Sequence, residues 1–141
     1  MNSFGTIFTF ILILTRLPLH EQDIDSVQGD LKKLSDIDFF KKYSFYDKTI
    51  SKEDIKVTKL IWSLKQLREV DASLRQKGVQ TFTIIANRPS KENPHYIIGH
   101  YQLPTPDHLV RMSYYRLNIL NKKIDYQDLD DFIKDKWKRV E

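Results

Sequence analysis

Cysteine is absent from all 141 residues, which excludes disulfides, thiolate metal sites, thiol nucleophiles and a lipid-bearing cysteine together. Glycine is nearly as scarce: the only four are Gly5, Gly29, Gly78 and Gly99, too scattered for a phosphate-cradling loop. Ser90 lacks the flanking glycines of a nucleophile elbow, so no catalytic residue is assigned and an enzyme is not expected. No apolar stretch reaches the ~20 residues of a membrane-spanning helix; Phe4 to Leu14 comes nearest. A dominant charge sign is missing too, because 23 basic residues stand against 19 acidic ones, interspersed along the chain for a net charge of +4. A nucleic-acid binder clusters its basic residues on one face, so no nucleic-acid partner is expected.

What the chain does have is bulk: seven Tyr, eight Phe and two Trp within 40% hydrophobic content supply the area for one core. Phe4 to Leu14 has the length of a secretory h-region, and residues 1–20 read as a signal peptide or an apolar N-terminal segment packed on the domain. Met1 to Thr6 carry no Lys or Arg, Arg16 follows the run, and no small-x-small pattern precedes Glu21. Its shortness and Pro18 argue against an uncleaved anchor. Export implies the cell envelope, the periplasm or secretion, with no stable membrane span after processing; without export the chain is cytoplasmic. Residues 21–30 are polar and read as a linker, leaving 31–141 as a single domain.

Ser35 followed by Asp38 resembles a helix cap, with Leu34, Ile37, Phe40 and Tyr43 along one face of a short helix. Tyr43 to Ile50 leaves helix, strand and ordered loop open. Ser51, Glu53 and Asp54 then suit a helix start and Gly78 its stop. Between them Val57, Leu60, Ile61, Leu64, Leu67, Val70 and Leu74 form one stripe, predicting a single long helix with Trp62 at the stripe's margin. Strands follow. Thr81 to Ala86 alternates Phe82, Ile84 and Ala86 against Thr81, Thr83 and Ile85, and Asn87 to Pro94 is loop chemistry. His95 to Leu103 sets Ile97, Gly99, Tyr101 and Leu103 opposite Tyr96, Ile98, His100 and Gln102. Leu109 to Leu120 changes phase near Tyr115 and Arg116, as a bulge requires. Ile124 and Tyr126 continue an edge, and Leu129, Phe132, Ile133 and Trp137 mark a short C-terminal helix. The sum is an α+β domain: one long helix on a curved antiparallel sheet of three to four strands, with Phe82 and Ile98 against the helix and short helices at both ends.

The run Asn87-Arg88-Pro89-Ser90-Lys91-Glu92-Asn93-Pro94 into His95-Tyr96-Ile97-Ile98, and Tyr114-Tyr115-Arg116-Leu117-Asn118-Ile119 through Asn121-Lys122-Lys123 to Ile124-Asp125-Tyr126, resembles small exported bacterial domains of the PepSY-like and cystatin-like kind. That resemblance covers about the last third of the chain and implies a non-catalytic binder or inhibitor of the cell envelope.

Metal chemistry finds little support. His100 and His108 with Asp107 could meet across a hairpin, but sheet-surface histidines explain them better. Asp125, Asp128, Asp130 and Asp131 lack the glycine and glutamate of a calcium loop and suit a helix N-terminus. No metal and no cofactor is assigned. The candidate binding residues are therefore surface ones: Arg88, Lys91, Glu92 and His95 with Tyr96, Tyr101, Tyr114 and Tyr115, the aromatic and cationic mixture of interface anchors. The blander reading divides the same residues between core aromatics and solvated loop. The expected function is that of a small exported non-catalytic protein-binding domain, of which an immunity-type inhibitor that occludes a secreted toxin is the favoured form. A cone-shaped small-molecule binder and an envelope structural protein are the alternatives.

Overall fold

A computed structural model of the chain describes residues 19–140, with side chains from residue 26 onward. The expected signal peptide, residues 1–20, lies outside them but for its last two positions. The first described element is a helix, α1 (Leu19–Lys33), across the stretch expected to be a linker. Polarity suggested a linker, but Val27 is fully buried and Leu31 and Leu34 pack on the same core. These positions recur at helical spacing, so burial against a neighbouring helix overrides the weak local signal.

Helix α2 (Asp36–Tyr43) starts where expected, with Ser35 Oγ accepting from the Asp38 amide. It buries Phe39, Phe40 and Tyr43, while Ile37 is exposed. Of the stretch left open, Tyr43 closes α2 and residues 44–50 form a loop, tied by a parallel bridge from Ser44 to Thr83.

The predicted long helix is two: α3 (Lys52–Trp62) and α4 (Lys65–Gln76). Helix α3 opens with a capping box in which Ser51 and Asp54 satisfy each other's backbone amides. It ends because Ser63 folds its hydroxyl back onto the Leu60 carbonyl (2.5 Å) and Leu64 turns extended at φ −70°, ψ 131°. Serine competing for backbone carbonyls is a recognised helix disrupter. The break re-aims the second half, so Leu60 and Val70 of the predicted stripe are exposed while Leu67 and Ala72 are buried. Helix α4 stops at Gly78, whose φ of 78° permits paired bonds from Gly78 and Val79 to the Arg75 and Leu74 carbonyls.

Five strands, β1 (Gln80–Asn87), β2 (His95–Thr105), β3 (His108–Asn118), β4 (Ile124–Asp128) and β5 (Lys138–Arg139), form one antiparallel sheet in sequence order. A five-residue helix, α5 (Leu129–Ile133), separates the last two. It ends early: Asp135 adopts a φ of 55° and Gln127 Nε2 holds the Lys136 carbonyl at 2.8 Å. Trp137 therefore lies beyond the helix, not on its face as expected, and Leu129 and Ile133 are exposed.

Helices α1 to α4 cover one side of the sheet. Val27, Phe39, Tyr43, Val57, Ile61, Trp62 and Leu67 meet Tyr96, Ile98, Tyr115 and Leu117 in one core. Trp62, expected at the margin, is fully buried, with ring centroids 4.8 Å from Tyr43 and 5.6 Å from His100. Strand β1 turns its threonines inward, so Phe82 faces the opposite side, against the expectation that placed it beside Ile98. Thr83 accepts from Trp62 Nε1 (3.1 Å) and donates to the Tyr43 carbonyl (3.3 Å), which satisfies a polar side chain within the core.

Candidate functional site

The interior holds a titratable chain of hydrogen bonds that periodicity did not reveal. Thr81 Oγ1 donates to Asp71 Oδ1 (2.8 Å) and meets His100 Nε2 at 2.9 Å. Because the hydroxyl gives its only hydrogen to Asp71, the His100 proton sits on Nε2. Burial pushes the His100 pKa down to about 3, keeping the ring neutral, and Arg75 closes the row with a 2.5 Å bond to Asp71 Oδ2. A histidine, a hydroxyl and a carboxylate in line invite a nucleophile reading. Yet Thr81 is 4% exposed and engaged on both sides, so the row works as a brace between α4, β1 and β2. His108 is exposed on the far hairpin, and among the described residues no group of three His, Asp or Glu side chains is arranged to hold a metal ion.

A second brace uses two of the candidate residues. Arg88 Nε donates to Asp54 Oδ2 (3.0 Å) and Tyr96 Oη to Asp54 Oδ1 (2.8 Å). Burial opposes ionisation of Asp54, but the bonds from Tyr96, the Ser51 amide and Arg88 outweigh it and hold the carboxyl below its usual range. Tyr115 is buried on the same side, its hydroxyl accepting from Gln66 (3.3 Å). Tyr96 and Tyr115 are thus core residues, not surface anchors: even-numbered positions of β2 and odd-numbered positions of this part of β3 face the helices. His95 is held by Asn93 (2.8 Å), and Lys91 and Glu92 are exposed on the β1–β2 loop.

Tyr101 and Tyr114 do come together, on the sheet face away from the helices. The register stacks Phe82, Tyr101 and Arg111 in one row and Ile84, Gly99 and Tyr114 in the next. A bulge makes this possible. Ser113 pairs with His100 and Arg111 with Tyr101, leaving Met112 as the extra residue, so Arg111 and Tyr114 share a face despite their odd separation. The phase change expected near Tyr115 and Arg116 lies here instead. Gly99 gives the Tyr101 ring its place, since a β-carbon there would sit 2.5 Å from Tyr101 Cε1. Burial, then Tyr114, raises the Tyr101 phenol pKa, so it stays a neutral donor.

Aromatic side chains from outside the sheet extend this face. Phe45 stacks on Phe82 (centroids 6.4 Å) and Phe132 leans on Tyr114 (6.0 Å). Arg116 lies 4.3 Å over the Trp137 ring while pairing with Asp125, which also holds Arg139 at 2.6 Å. Phe45 is 64% and Phe132 48% exposed. Between the β1–β2 loop and Trp137 the surface dips into a hollow of about 380 Å³ walled by Asn87, Asn93, Ile97, Tyr114, Phe132 and Trp137. Phe45, Phe82, Arg111, Phe132 and Trp137 were not among the expected binding residues; the alternation of β1 was the one signal pointing to Phe82. Among the described residues no helix is long and apolar enough to cross a membrane. No family model, no curated protein and no solved structure matches this chain, so the resemblance to PepSY-like and cystatin-like domains rests on the texture of its turns and strands.

Proposed function

We propose that this chain is a small exported, non-catalytic binding domain that takes a protein partner on the outer sheet face, as an immunity-type inhibitor occluding a secreted toxin would. The observation carrying this reading is that face itself: four helices cover one side of the sheet, while the other leaves Phe45 and Phe132 exposed and Tyr101 and Tyr114 half-buried. Rigid aromatics with few rotatable bonds are what protein interfaces use as anchors. Export is supported by the apolar run Phe4 to Leu14, and the lack of cysteine suits a domain that folds without disulfides.

Co-purification from the native host tests this. The intact chain should retain a protein partner, and the double variant Tyr114→Ser with Phe132→Ser should lose it while an exposed helix-side change such as Lys56→Ser keeps it. Equal retention by all three, or no partner at all, refutes the proposal. A toxin partner should also lose its toxicity when the chain is co-expressed. The hollow beside Trp137 favours a second reading, a small-molecule binder. That reading requires a ligand that raises Tm and loses its effect in Trp137→Ala.

A further inference from the structure

We propose that Arg111 is the specificity point of this face and takes a carboxylate, an Asp or Glu side chain of the protein partner; the inference rests on the docking reading above. Four of the described arginines, Arg75, Arg88, Arg116 and Arg139, have carboxylate partners within 3.0 Å. Arg68 is buried and bonded to the Ser63 carbonyl. Arg111 alone among the described arginines is accessible and has no acidic partner.

Its setting favours ligand capture. The guanidinium carbon lies 4.4 Å from the centre of the Tyr114 ring and 4.5 Å from that of Phe132, and Nη1 donates to Tyr114 Oη at 3.0 Å. The two rings are tilted 59° to each other, so the planar guanidinium can lie flat on at most one of them, and its hydrogen bonds leave from its edge. One of five N–H donors is engaged by Tyr114, and the remaining edge keeps the fork that matches a carboxylate. Contact with both rings and the bond to Tyr114 Oη also restrain the side chain before binding, which lowers the entropy lost on capture. The nearest acid in sequence, Asp107, accepts from Thr105 Oγ1 (3.1 Å), while Asp128 and Asp131 close the α5 capping box and Asp130 pairs with Lys134. Tyr101, opposite Arg111 in register, supplies an apolar flank.

Protein is favoured over nucleic acid because Arg111 is the single described arginine on this face without an acidic partner, not one of a basic stripe. A polyanionic backbone needs several phosphate contacts.

The test is selection from a phage-displayed library of random twelve-residue peptides on the full chain, followed by titration of the best peptide and of fluorescein-labelled dT12. Peptides that compete at this face should be enriched in Asp or Glu. Arg111→Met should weaken the best peptide at least about tenfold, as loss of a charged hydrogen bond does, and Arg111→Lys by several-fold, while both variants keep the native Tm within a few degrees. Arg111→Lys with native affinity overturns the fork geometry and the proposal with it. Peptides whose binding needs Tyr114 and Phe132 but shows no acidic preference overturn this inference and leave the docking reading standing. Peptides insensitive to the whole face overturn both, and dT12 binding tighter than any peptide replaces the protein ligand by nucleic acid.

Discussion

His100 shows how one side chain ties stability to pH. Its pKa is lowered to about 3 by burial, against ~6.5 for an unfolded histidine. The unfolded chain therefore binds the extra proton between those values, and unfolding becomes easier as pH falls through that window. Folding free energy should drop by up to about 1.4 kcal/mol per pH unit from about 6.5 downward. Urea titrations at pH 7 and pH 5 check this: the native chain should lose stability between them and His100→Gln should lose clearly less. Asp54 acts lower on the scale. Its pKa is depressed, so its contribution is complete above the ordinary carboxylate value of 3.8 and is lost as pH falls through the folded one. Asp54→Ala removes the acceptor for Tyr96, the Ser51 amide and Arg88 together, and should cost about 2–3 kcal/mol by chemical denaturation.

Among the elements, the turn at Ser63 decides which leucines matter. A continuous helix would make Leu60 and Leu67 equivalent members of one stripe, but Leu60 is 41% exposed and Leu67 fully buried. Leu67→Ala should cost about 2–5 kcal/mol and Leu60→Ala under about 1; similar losses at both sites would restore the single helix. In β2, Gly99→Ala should push the Tyr101 ring off the sheet and cost about 1 kcal/mol, visible as altered Tyr101 ring resonances. The start of α2, the cap at Ser51, the stop at Gly78 and the parity of β2 were legible because caps, helix ends and alternation are local chemistry. The break at Ser63 was not, because the apolar stripe runs on through it and one serine is a weak stop, and the burial of Thr81 and Thr83 was not, because their partners are distant in the chain. The candidate site was half legible: Tyr101 and Tyr114 were found, but the bulge at Met112 hid Arg111, and a local stop at Asp135 hid Trp137.

At the scale of the whole molecule, α1 to α4 share their core with β2 and β3, so the helix layer and the sheet should unfold together. Far-ultraviolet circular dichroism and tryptophan fluorescence should give coincident melting curves. Separated transitions would mean that the layers are independent. The two indoles stand on opposite sides of one sheet: Trp62 enclosed, Trp137 beneath Arg116 at the rim of the outer hollow. The domain thereby carries two optical channels of its own. In Trp137→Phe the remaining emission should follow core integrity and ignore anything added from outside, whereas in Trp62→Phe it should change colour when the far side is occupied, so a screen for what docks there needs no added dye.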